Sequence, residues 1–260
     1  MTTPQLPSLF VSHGAPTLAL DAGETGAAWQ WCARSLPRPK AVLCISAHWT
    51  TADPAVSGPA HNDTIHDFYG FPAPLYQIAY PVPGDPALAE RVSGLLAAAG
   101  MRAGIDRTRG LDHGAWVPLR LMYPEADVPT VQLSVQPGRD AAWHYRMGAA
   151  LEPLRAEGVL ILGSGGAVHN LRSVAWEGGP APAWAQDFDE WLATALAEGR
   201  EAELLDWQRA PHARQAQPTD EHFLPLFVAW GAAGKGARGE RLHRGFTLGS
   251  MSMAAFKFAA

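Results

Sequence analysis

Three apolar runs in this chain each lead to a histidine. They are Leu9-Phe10-Val11-Ser12-His13, Ala41-Val42-Leu43-Cys44-Ile45-Ser46-Ala47-His48, and the stretch 159–169, which ends in Val168-His169. Short runs with so few polar residues suit inner strands of a parallel sheet, covered on both faces. Open α/β sheets bind their ligands outside the carboxyl ends of the strands. A fold that sets these strands side by side therefore collects histidines along one edge. Imidazole is a good ligand for zinc and for non-haem iron, and three such ligands leave positions open for substrate.

Between the runs the pattern alternates. Gly23–Ser35 has helical apolar spacing and is stopped by Pro37. Residues 87–99 form a helix opened by Pro86 and closed by Gly100, the usual positions of these two residues. Another helix follows Asp112-His113-Gly114, with Trp116, Leu119 and Met122 on one face. Thr130–Val135 reads as a strand, 140–156 and Ala183–Glu198 as helices. A last helix is expected over 218–230, with Thr219 as its N-cap. Short strands are expected near 246–248 and 253–258, running antiparallel on the sheet. No linker or repeat divides the chain. The reading is one α/β domain over residues 1–260, a three-layer α/β/α sandwich with a mostly parallel or mixed central sheet. The long segment 51–83, rich in proline, glycine, histidine and aromatics, is expected to be a binding loop.

Composition removes several function classes. Lys and Arg number 20 against 25 Asp and Glu, a net charge of -5, and no basic run offers a footprint for nucleic acid or an anionic membrane. No apolar stretch approaches the ~20 residues of a membrane-spanning helix. The first residues lack the basic and apolar regions of a secretory signal. The expected setting is cytoplasmic, as a monomer or small homo-oligomer. Cys32 and Cys44 form no CxxC pair and are expected as buried thiols.

The histidines divide by context. His13, His48, His169 and His222 sit past strands or at a helix start. His113 lies in a glycine-flanked turn, where a general acid or base and a helix cap are equally good readings. Asp220 and Glu221 compete with His222, because two histidines and one carboxylate also make a ferrous-iron site. His61 and His66 flank the long loop. His144, His212 and His243 lack an organising context and are assigned to the surface. Gly163-Ser164-Gly165-Gly166 has neither the lysine of a phosphate loop nor the first glycine of a serine-nucleophile elbow. Close backbone approach explains its glycines better.

Six stretches in order carry a resemblance. They are Ser12-His13-Gly14-Ala15-Pro16, Ser46-Ala47-His48-Trp49, Ile65-His66-Asp67-Phe68-Tyr69-Gly70-Phe71-Pro72, Leu111-Asp112-His113-Gly114, Val168-His169-Asn170-Leu171 and the run from Pro218 through His222 to Leu226. Together they resemble the class III extradiol ring-cleaving dioxygenases, most nearly the DOPA 4,5-dioxygenase branch. The resemblance implies a small catechol and O2 as substrates. It implies ferrous iron in the active enzyme, with zinc found in its place in isolated proteins. Its metal ligands are His13, His48 and His222. His169 is grouped with the metal in this branch and serves as the base beside it in related enzymes. His113 becomes a neighbouring acid or base. His66, Asp67 and Tyr69 are expected to read the substrate side chain, with Trp49 and Phe71 as apolar walls. Gln217 departs from the pattern, since many relatives carry histidine there. Two other readings stay open: a zinc-dependent hydrolase of an amide or ester, and a non-catalytic relative that binds metal or peptide.

Overall fold

The computed structural model describes residues 5–259. Its main sheet is built from β1 (Ser8–Ser12), β2 (Ala41–Thr50), β3 (Ala55–Ser57), β4 (Gly104–Asp106), β5 (Thr130–Val135), β6 (Val159–Gly165), β7 (Arg238–His243) and β10 (Ala255–Ala259), while β8 (Phe246–Thr247) and β9 (Met251–Ser252) pair separately. The order across the sheet is β4-β3-β5-β2-β6-β1-β10-β7. The four middle strands β5, β2, β6 and β1 are mutually parallel, and β10 and β7 add antiparallel at one edge. The mixed three-layer α/β/α architecture read from the sequence is the one that forms.

Alternation within the strands explains the layers. Val42 and Cys44 of β2 face a cluster with Leu9, Val11, Trp29 and Trp116, whereas Leu43 and Ile45 face Val131, Leu133, Ile161 and Val228. Apolar residues on both faces require helices on both faces. α1 (Gly23–Ser35) and α3 (His113–Met122) cover the first. On the second side lie α2 (Pro86–Ala98), α4 (Ala141–Leu151) with the short α5 (Pro153–Ala156), and α9 (Leu224–Ala232). Beyond them α6 (Ala183–Glu198) backs β7, followed by α7 (Glu201–Leu205) and α8 (Ala213–Ala216). Aspartates cap three of the helices: Asp85, Asp112 and Asp140 accept from Leu88, Ala115 and Trp143 backbone N–H groups. Cys32 and Cys44 are buried, free thiols.

Several expectations change. The helix read over 140–156 is interrupted at Glu152–Pro153, because proline supplies no N–H to the preceding turn. The last helix begins at Leu224, not near Thr219. Residues 218–222 form a turn instead, in which Thr219 Oγ1 donates to Glu221 Oε1 at 2.9 Å. β7 escaped notice because its sequence, Arg-Gly-Glu-Arg-Leu-His, lacks apolar alternation. It is a sheet edge, where charge protects unpaired backbone groups.

His144 is not at the surface. It is fully buried in α4. Its Nδ1–H donates to the Asp140 carbonyl at 2.9 Å, and its Nε2 accepts from Gln136 N–H at 3.2 Å. The neutral ring thus meets both partners. Burial lowers its pKa to about 4. Between that value and the unfolded value of about 6.5, the unfolded chain binds more protons than the folded one. Stability is therefore present above pH 6.5 and is lost as the pH falls through the window. Replacing His144 with Gln should cost stability at pH 7, and that cost should shrink by about 2 kcal/mol by pH 5. Denaturant titrations of both proteins at the two pH values check this.

Candidate active site

Strand register brings the histidines together. Val11 of β1 and Ser46 of β2 both pair with Ser164 of β6. His13 and His48 each lie two residues further on, so they project at one height and on one face of the sheet. His48 lies inside β2, where pairing with β5 slips between Ile45 and Thr50. His222 reaches the same point from the opposite face. It can do so because Gly163 and Gly165 carry no side chain. A Cβ on Gly165 would lie 2.0 Å from the His222 carbonyl oxygen, and one on Gly163 would lie 2.4 Å from that of Pro225. The expected role of these glycines in close backbone approach is the one observed. Gly166 N–H completes the junction by donating to His222 O at 2.8 Å.

The resulting distances are short. His13 Nε2 and His222 Nε2 lie 3.0 and 3.2 Å from His48 Nε2. Each ring's other nitrogen faces an oxygen. His13 Nδ1 is 3.1 Å from Ser164 Oγ, His222 Nδ1 is 3.0 Å from Glu221 Oε1, and His48 Nδ1 is 3.5 Å from Asp67 Oδ2. Glu221 thus stands behind His222 and not in competition with it. His113, the first residue of α3, packs its ring 3.9 Å from that of His48. Asp67 Oδ1 accepts from both His113 N–H at 2.9 Å and His113 Nδ1 at 3.0 Å. His169 stacks on His222 with centroids 3.5 Å apart and planes 8° from parallel. Its backbone N–H donates to Ala216 O at 2.9 Å. Gln217 is buried, and its amide donates to the carbonyls of Gly166 and Ala167, which steadies the turn leading to His169.

Burial above all keeps His13, His48, His169 and His222 neutral. Burial, then the neighbouring imidazoles, holds His13 and His222 far below the ordinary histidine range. His48 is lowered first by burial and then by His113. Burial also lowers His169, to about 4. Asp67 is pushed up by burial, but the hydrogen bonds and charge of His113 outweigh this and leave it below the carboxylate norm. The donor set suits a metal ion. Nitrogens about 3 Å apart match a single ion bound at about 2 Å from each. Three unprotonated nitrogens facing one another without an ion or proton between them would repel. His13, His48 and His113 offer nitrogens within 4.8 Å of one another, and the ring nitrogens of His169 and His222 with a carboxylate oxygen of Glu221 do so alongside.

The histidines floor a cavity of about 210 Å³, enough for one small aromatic ring. His13, His48, His113, His169 and His222 all line it. Its walls are apolar: Phe68 and Phe71 from the long loop, Leu171 and Trp176 from the segment after β6, and Leu248 and Met251 from around the β8–β9 turn. Phe71 is therefore a wall, as expected, whereas Trp49 is buried beneath the Arg109 guanidinium, 4.5 Å from its ring centre. The three loop residues expected to contact substrate lie elsewhere. Both Asp67 oxygens are turned toward His113 and His48. His66 Nε2 is bonded to the Ile78 carbonyl at 3.0 Å, and Tyr69 sits out at the loop tip, 90% exposed. Leu171, Trp176, Leu248 and Met251 went unrecognised because no local spacing marks them; only the fold places their segments over the strand ends. Ser164 was hidden among glycines read for their backbone alone.

Comparison with known proteins gives a family. The family described as the catalytic LigB subunit of aromatic ring-opening dioxygenase matches residues 8–258. A 4,5-DOPA dioxygenase extradiol of Beta vulgaris is 48% identical, over 97% of this chain and 96% of its own. An Escherichia coli K12 protein of the same description is 41% identical, over 89% and 87%. A crystal structure of an uncharacterised Escherichia coli K12 protein superposes with a TM-score of 0.82 at 35% identity, covering 97% of this chain and 99% of that one. Matched along nearly the whole chain, this family implies a small aromatic substrate and O2, and the histidine cluster suits a metal cofactor. The chain belongs to the family of the LigB catalytic subunit of aromatic ring-opening dioxygenases and is an extradiol ring-cleaving enzyme.

Proposed function

We propose that the substrate is a catechol, and that His13, His48 and His222 hold ferrous iron beneath it. Zinc suits the same three nitrogens and competes for them. The observation that carries this reading is the meeting of three inward Nε2 atoms at the floor of one apolar cavity. When bound, the ion acts as a Lewis acid on the catechol hydroxyls and gathers both substrates at one point. The histidine side chains supply the rest. His169 is neutral at pH 7 and accepts a hydroxyl proton. Its stacking on His222 supports a base beside the ligands in preference to a fourth ligand. His113 is oriented by Asp67, which occupies its Nδ1 and leaves Nε2 for the substrate side. Phe68, Phe71, Leu171 and Trp176 pack on the ring and keep water from it. The long loop thus serves the substrate through its phenylalanines, and Asp67 serves by positioning two histidines. A DOPA-like side chain on the catechol fits the names of the relatives.

Anaerobic loading with Fe(II), followed by O2 and a small panel of catechols, tests the reading. One O2 consumed per yellow ring-opened product supports it. Bound metal without catechol turnover, but with amide or ester hydrolysis, replaces it with the zinc hydrolase. His169→Gln should keep its metal and lose kcat by roughly 10²–10⁴, the usual worth of a general base. Loss of metal in that variant instead makes His169 a ligand.

A further inference from the structure

Two of the three inward histidines have a carboxylate behind them, and a carboxylate accepts only. Glu221 therefore accepts from His222 Nδ1–H, and the Asp67 carboxylate, 3.5 Å from His48 Nδ1, favours a proton on that nitrogen too, which leaves each Nε2 bare. His13 is different. Its partner is the hydroxyl of Ser164, which can give or accept a hydrogen bond. If Ser164 donated to Nδ1, the proton of a neutral His13 would sit on Nε2, the atom that faces His48, and would block a metal.

We infer that Pro118 decides this, through a relay Pro118–Gly114–Ser164–His13. Pro118 lies inside α3. In a regular helix its N–H would bond to the carbonyl of Gly114, four residues back, but proline has no N–H. That carbonyl is free, and Ser164 Oγ donates to it. A hydroxyl has one proton. Once it is given to Gly114, only the oxygen lone pairs face His13 Nδ1, so Nδ1 must carry the proton and Nε2 is bare. Ser164 is fully buried, which shuts out water as another partner. Gly114 lets the helix come this close: a Cβ there would lie 2.5 Å from Ser46 Oγ and 3.0 Å from His48 Cδ2. A helix-breaking residue thus sets the tautomer of a metal ligand on a neighbouring strand. Ser164 and Pro118 are positioning residues, and the inference rests on His13 being a ligand.

Long-range ¹H–¹⁵N spectra of the metal-free protein read the tautomer directly, with His13 assigned by its loss in His13→Ala. The expected spectrum shows His13 protonated at Nδ1, and Ser164→Ala shifts it to a mixture. Zn(II) dissociation constants, measured by chelator competition, should weaken 10–100-fold in Ser164→Ala, the usual cost of losing a ligand's outer hydrogen-bond partner. Pro118→Ala returns an N–H that competes with Ser164 for the Gly114 carbonyl and should weaken binding severalfold. His13 protonated at Nε2 in the native protein overturns the inference, as does unchanged affinity in both variants. If Ser164→Ala does not fold, the native spectrum and Pro118→Ala still decide. A native protein that binds no zinc refutes the ligand assignment instead, and the spectrum then judges the relay alone.

Discussion

His48→Ala should empty the metal site and end ring cleavage. His48 Nε2 is the shared neighbour, 3.0 Å from that of His13 and 3.2 Å from that of His222. Removing it breaks both contacts and leaves only two nitrogens, which is too few to hold an ion firmly. The loss of metal affinity should exceed the 10–100-fold that follows loss of an outer hydrogen-bond partner. Turnover should fall with it. The protein should remain folded, because His48 stands at the open end of β2 beside the cavity, and the strand beneath it is buried independently. Metal analysis after dialysis, oxygen uptake and circular dichroism together check the prediction. A folded variant with normal metal and normal oxygen uptake removes His48 from the site. In the native protein the outcome also depends on pH. The buried imidazoles must stay unprotonated to bind metal, and burial holds them below their ordinary range, so metal should be retained well under pH 6.5.

Gly165→Ala should be severely damaging for the addition of a single methyl group. The new Cβ would lie 2.0 Å from the His222 carbonyl oxygen and 3.4 Å from the Phe10 ring. The closer contact is to backbone, so no side-chain rotation relieves it. Either β6 or the turn before α9 must move, and the Gly166 N–H bond to His222 O stretches with it. The expected loss is about 3 kcal/mol or more, the upper end for overpacking a core. Metal affinity should drop as well, because His222 rides on the displaced turn. Gly94→Ala is the control. It lies in α2 with open space around its Cβ position, and alanine there should stabilise by about 0.5–1 kcal/mol through helix propensity. Denaturant melts of both variants, with zinc affinity measured alongside, separate the local clash from a general intolerance of alanine. Native stability in Gly165→Ala would mean that the turn before α9 does not press on β6 as described.

How much of this was legible beforehand varies by element. The inner strands announced themselves because both faces are buried, which removes polar residues from the run. The amphipathic helices and their proline and glycine boundaries were equally plain. The start of α9 was misread because Thr219, Asp220 and Glu221 form a good capping sequence. Tertiary contact overrode it: the turn must carry His222 past two glycines to the strand ends. His144 was misread because one polar residue in a helix carries no mark of its burial.

The residue types of the site were set by sequence: strands that run into histidine, in an order that matches a known enzyme family. Sequence also set the parallel sheet, since fully apolar strands have no solvent face to offer. The tertiary structure decided which oxygen stands behind each imidazole. It moved Glu221 from rival ligand to partner of His222, and Asp67 from substrate contact to a brace between His48 and His113. It also built the apolar walls from segments distant in the chain. The physical reason is range. Periodicity and capping act over a few residues and leave a trace in local spacing. Hydrogen-bond direction and cavity shape depend on which segments meet across the sheet, and no local pattern records that.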